Sequence, residues 1–79
     1  MAVTIKYFGW LSSEIAPQIK VEVKGGERIR DIVKLPEDVS IEDFILLKNG
    51  QTARPDDPVE DGDVISVMPH ISGGNKFKG

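Results

Sequence analysis

The chain has no cysteine, one histidine and few aromatics (one Trp, one Tyr and three Phe), and each scarcity excludes something. Without cysteine there is no disulfide framework and no thiolate nucleophile. With His70 as the lone imidazole, a structural zinc site lacks ligands. No apolar run approaches the ~20 residues of a membrane span. The opening "MAVTIKYF" lacks the basic segment and apolar block of a signal peptide, so a soluble, cytoplasmic protein with no membrane partner is expected. Basic clusters are missing too. Ten Lys and Arg stand against thirteen Asp and Glu, for a net charge of −3. Scattered bases on an acidic chain argue against general nucleic-acid binding, which needs grouped cations for phosphates. What remains is one small domain of 79 residues, whose core must come from apolar burial alone.

The pattern of that burial is legible along the chain. "VTIKYF" (3–8) is β-branched and aromatic and reads as a strand. "GWLSSEIAP" (9–17) reads as a connection, with Trp10, Leu11 and Ile15 turned back onto the core. "QIKVEVK" (18–24) alternates Ile19, Val21 and Val23 with Lys20, Glu22 and Lys24, the pattern of a strand buried on one side. Gly25-Gly26 ends it, since glycine accepts the positive φ of a sharp exit. From 26 to 36 the period changes: Ile29, Ile32 and Val33 share a helical face, and the spacing predicts two to three turns stopped by Pro36. Ser40 and Asp43 suggest a short capped turn. "FILLK" reads as a buried strand, Asn49-Gly50 as a two-residue hairpin turn, "QTA" as a short return strand and "VISVMP" (64–69) as the last strand. One helix among four or five strands predicts an α+β fold, a mixed sheet with the helix across one face. A β-grasp architecture fits that order.

Catalytic and metal readings fare poorly. Asp56, Asp57, Glu60, Asp61 and Asp63 lack the alternate spacing of a calcium loop, and Asp61-Gly62-Asp63 is better read as a turn feeding the last strand. His70 has no evident nucleophile or carboxylate partner, Ser12-Ser13 has no elbow motif, and Gly25-Gly26 lacks the continuation of a phosphate loop. No metal site and no catalytic residue of the chain's own is expected. Of the aromatics, Tyr7, Phe8, Trp10 and Phe44 are assigned to the core or its rim, with one or two available to an exposed apolar patch.

The segment from Asn49 onward is more specific. Asn49-Gly50, Asp61-Gly62-Asp63, the strand Val64 to Val67, Pro69, Ser72 and then Gly73-Gly74 together resemble the closing segment of the ThiS/MoaD family. These are the ubiquitin-like β-grasp sulfur carriers of thiamine and molybdopterin synthesis. The resemblance spans residues 1–74. It implies a β-grasp domain over 1–74 ending in a Gly-Gly arm, with 75–79 a flexible tail or pro-segment.

The resemblance further implies a carrier, not an enzyme. A partner adenylating enzyme, of ubiquitin-activating type, would use ATP to activate the terminal glycine carboxylate. Sulfur would then replace the adenylate, and the thiocarboxylate would serve the large subunit of a synthase; the carrier itself binds no cofactor. Side-chain-free Gly73 and Gly74 suit a tail that threads a narrow channel. As written, however, the Gly74 carbonyl is an amide with Asn75 and offers no carboxylate. Removal of "NKFKG" by a protease at Gly74–Asn75 is therefore expected. For docking, the resemblance points to the apolar sheet face near the tail, with Tyr7, Phe8, Val59, Met68 and Ile71 as candidate members. Two other readings are a diverged β-grasp interaction module and a ubiquitin-like modifier that transfers its glycine to lysine amines.

Overall fold

A computed structural model of the chain describes residues 1–70. It contains strands β1 (Ala2–Tyr7), β2 (Gln18–Glu22), β3 (Phe44–Lys48), β4 (Gln51–Ala53) and β5 (Val64–Pro69), with helices α1 (Trp10–Glu14) and α2 (Ile29–Ile32) and a 3-10 turn at Ile41–Asp43. The strands form one mixed sheet in the order β2-β1-β5-β3-β4. Two antiparallel hairpins, β1–β2 and β3–β4, are joined only through β5, which runs parallel to β1 and antiparallel to β3. The α+β expectation with a five-stranded mixed sheet is met.

Strand alternation decides the faces. Val3, Ile5 and Tyr7 of β1, Phe44 and Leu46 of β3, and Ile65 and Val67 of β5 all point inward. Leu11 from α1 and Ile29 and Ile32 from α2 close the same core, and among the described residues no charged or polar one is buried within it. The local turn chemistry also matches the sequence. Asn49 (φ 53°) and Gly50 (φ 86°) form the β3–β4 hairpin with Lys48 opposite Gln51, both in the left-handed region that such a turn needs. The Ser40 hydroxyl accepts from the Glu42 N–H at 3.3 Å and caps the 3-10 turn.

The helical content differs from the expectation. The segment read as two to three turns over 26–36 makes a single turn, and α1 appears within the segment read as a connection. Val33 leaves the helix in an extended conformation (φ −80°, ψ 126°). The next residue is captured from across the core: the Tyr7 hydroxyl donates to the Lys34 carbonyl at 2.9 Å and accepts from the Lys34 N–H at 3.0 Å. A buried side chain thus takes the backbone groups that a second turn would have used. At the other end, the Ile29 and Arg30 N–H groups donate to the carbonyls of Asp57 (3.0 Å) and Pro55 (2.9 Å), so α2 is anchored by its neighbours more than by its own length. Among the described residues, no helix is long and apolar enough to cross a membrane.

Candidate functional site

The sequence places its candidate chemistry just after β5, so the question is how the fold presents that strand. At its amino end the anchoring is polar. The Asn49 side chain donates to Asp63 Oδ1 at 2.9 Å and accepts from the Val64 N–H at 2.9 Å, while its backbone N–H donates to the Val64 carbonyl at 2.8 Å. Asp63 Oδ2 accepts from the Glu60 N–H at 2.8 Å, and Asp61 Oδ1 from the Ala2 N–H at 2.7 Å. Partial burial alone would raise the Asp63 carboxyl; the bonds from Asn49 and Glu60 and the charge of Lys48 outweigh it and hold the group below the usual carboxylate range. Asp63 is thus a turn-former, as the sequence implies, whereas Asp61 ties the turn to the amino end of β1. Asp57 accepts from the Arg54 N–H at 3.0 Å, and Asp56 from Arg30 Nε at 2.7 Å. Among the described residues no three His, Asp or Glu gather to hold a metal ion.

At the carboxyl end of β5 the surroundings are apolar. On the outer face, alternation brings Met68 outward beside Ile45, its cross-strand partner on β3. On the other side Phe8 follows β1, its N–H donating to the Val67 carbonyl at 3.0 Å. Phe8 is 43% and Ile45 37% exposed, and neither they nor Met68 join the core. At the tip, Trp10 is 45% exposed and packs its ring at 6.0 Å and 53° to that of Phe44, which lies opposite Pro69. Phe8, Met68 and Ile45 thus form an outward apolar surface on three adjacent strands, with the composition of a protein-docking site, while Trp10, packed on the inward Phe44, stands at the rim of the opposite face.

The candidate docking residues therefore divide. Phe8 and Met68 lie on this surface. Tyr7 and Val59 do not, each being only 3% exposed. Tyr7 is the strand neighbour of Phe8 and so points to the opposite face, where burial pushes its hydroxyl pKa up against the lowering effect of the Lys34 backbone. Val59 is held inside by its N–H bond to the Glu27 carbonyl at 3.0 Å, beside the Arg28–Pro58 bridge. Both are core residues, and the docking assignment is corrected accordingly. Ile71, Gly73, Gly74 and Asn75 lie outside the described residues. His70 is exposed, as expected of a surface residue. One member escapes the sequence reading: Ile45 belongs to a run that reads as a buried strand, although its position between Phe44 and Leu46 puts it on the other face. Trp10, which the sequence places on the core or its rim, is 45% exposed and packs on Phe44 at that rim.

The comparisons with known proteins cover most of the chain. The model of the ThiS family matches residues 5–74. Among solved structures, SAMP1 from Haloferax volcanii superposes with a TM-score of 0.76 at 20% identity, over 94% of this chain and 100% of that one. A chain of the complex of subunits 1 and 2 of molybdopterin-converting factor from Helicobacter pylori gives 0.64 at 23% identity, over 94% and 100%. At such identities the superpositions speak to the fold, which is the ubiquitin-like β-grasp.

Proposed function

The chain belongs to the ThiS family, whose members are small carriers working with partner enzymes, and on that premise we propose that it carries sulfur on Gly74. The observation that supports this most directly is the extent of the family match, which stops at Gly74, the residue where the Gly-Gly motif ends in this sequence. A β5 strand held rigidly in the middle of the sheet is a suitable base for such an arm, because a fixed root narrows the positions the terminal carbonyl can reach.

The chemistry requires a free carboxylate. Its oxygen attacks the α-phosphate of ATP in the active site of a partner adenylating enzyme, and pyrophosphate leaves. A sulfur nucleophile then displaces AMP from the acyl-adenylate, giving the thiocarboxylate used by a synthase of the molybdopterin or thiamine type. In the sequence given, Gly74 is bonded to Asn75; its amide carbonyl has no carboxylate to donate, so hydrolysis of that bond by a protease must come first. The outer surface of Phe8, Ile45 and Met68 is where the activating enzyme and the synthase large subunit dock. The solved Helicobacter pylori complex of subunits 1 and 2 supports the second partner as a type.

The test compares the chain ending at Gly74 with the chain of 79 residues, each mixed with the cognate activating enzyme. The shorter form is expected to support ATP–pyrophosphate exchange and, with a sulfur donor, to gain the mass of an oxygen-to-sulfur replacement. No exchange from the shorter form overturns the carrier reading. A second reading, protein modification, is favoured by the fold likeness to the protein described as small archaeal modifier protein 1, at a TM-score of 0.73 and 18% identity. It predicts Gly-Gly remnants on lysines of other proteins, and their absence during active sulfur transfer leaves the carrier.

A further inference from the structure

Gly9 and Pro69 meet where the chain leaves β5, and the contact requires both residues. Gly9 stands at φ 63° and ψ −143°, a conformation that residues with a side chain rarely adopt. A Cβ placed on it would lie 2.9 Å from Pro69 Cγ and 3.2 Å from Pro69 Cδ. The pyrrolidine ring thus occupies the room that a side chain at position 9 would need.

Proline is equally apt on its side. Along the parallel β1–β5 ladder, the Thr4 N–H donates to the Asp63 carbonyl and the Phe8 N–H to the Val67 carbonyl, each at 3.0 Å. In a parallel ladder the next rung would be a donation from residue 69 to the Phe8 carbonyl. Pro69 has no N–H to give. The ladder therefore stops at Val67, Gly9 turns β1 away into α1, and Pro69 seats its ring against the turn. The ring also fixes its own φ near −65° and restricts Met68 to extended conformations. Two successive torsional restraints and one steric contact thus act at the root of the arm.

We propose that this Gly9–Pro69 clasp sets the direction in which the chain leaves the sheet, making Gly9 and Pro69 positioning residues for delivery of the Gly74 carboxylate. The inference rests on the carrier reading for its function and on the contact alone for its geometry. Docking uses the outer face, so loosening the clasp lowers the rate of adenylation without weakening association. Gly9→Ala and Pro69→Ala, each in the chain ending at Gly74, are compared in ATP–pyrophosphate exchange with the cognate activating enzyme. Pro69→Ala removes Cγ and Cδ and supplies an N–H for the Phe8 carbonyl while leaving Gly9 its positive φ, so it loosens the clasp from the other side and decides the matter if Gly9→Ala does not fold.

The expected result is a fall in kcat of about tenfold or more, with the half-saturating carrier concentration changed by less than about threefold. A folded variant with unchanged kcat overturns the positioning role, and so does a loss confined to half-saturation. A second measurement separates this from the carrier reading. The chain lacks cysteine, so Ser72→Cys in the 79-residue protein takes a single spin label. Broadening of the Phe8, Trp10 and Ile45 amide signals then reports where the root of the arm points. Pro69→Ala is expected to redistribute that broadening, and an identical pattern overturns the clasp even where the parent protein shows no exchange.

Discussion

The two ends of β5 are held by opposite means. At Val64 the strand is tied by directed polar bonds, three of them to Asn49 or through it to Asp63. At Pro69 the ring lies against Gly9, the register partner is Phe44, and Trp10 packs on Phe44 in turn. The difference separates two tasks. Hydrogen bonds have fixed partners, so the amino end sets the register that makes Pro69 the exit residue. Apolar surface is less selective about what covers it, which suits the carboxyl end to the docking proposed above.

The sharpest way to break this contrast is at Asn49. Asn49→Ala deletes both side-chain bonds and puts a less tolerant residue at φ 53°. A loss of about 2–3 kcal/mol is expected in urea unfolding; a loss below about 0.5 kcal/mol would mean the polar end is not the anchor. Next comes Ile45→Glu on the outer face, where stability should change by no more than about 1 kcal/mol, while affinity for the activating enzyme falls about tenfold or more in titration calorimetry. Cooperative unfolding lost together with binding would return Ile45 to the core.

Acidification probes the polar end alone. Because the folded chain holds the Asp63 carboxyl below its ordinary range, its contribution is complete above about pH 5 and is lost as pH falls through the lower folded value. Asp63→Asn should therefore flatten the decline of stability between about pH 5 and about pH 2, followed by thermal melts. An unchanged slope removes Asp63 from the argument. The smallest effect is expected at exposed His70: His70→Ala should leave the melting curve within about 0.5 kcal/mol of the parent, and a larger loss would reveal a polar anchor at the apolar end.

What was legible in the sequence was mostly local. Asn49-Gly50, Gly25-Gly26 and Ser40 encode their turns through backbone preferences of one or two residues, and β2 through its alternation. The length of α2 was not legible, since it ends on a hydroxyl from Tyr7, twenty-seven positions away in the chain. The site divides similarly. Phe8 and Met68 were identified on the surface, whereas Tyr7 and Val59 were misplaced because hydrophobicity does not state a direction. Strict alternation applied to "YF" and "FIL" would have separated Tyr7 from Phe8 and exposed Ile45. Trp10 depends on the geometry of α1, which carries little signal in five residues.

The strand order has a kinetic consequence. The hairpins β1–β2 and β3–β4 each form from nearby residues, yet they share no rung until β5 enters between them. Closing β1 onto β5 joins Tyr7 to Val67 across most of the described chain, a slow, entropically expensive step. Until β5 pairs, neither hairpin has a partner for its inner edge, and a two-stranded hairpin alone is marginally stable. The segment that completes the sheet is the one leading directly to Gly73-Gly74. Pairing of β5 therefore completes together the outer face of Phe8, Ile45 and Met68 and the strand from which the sequence runs on to Gly73-Gly74.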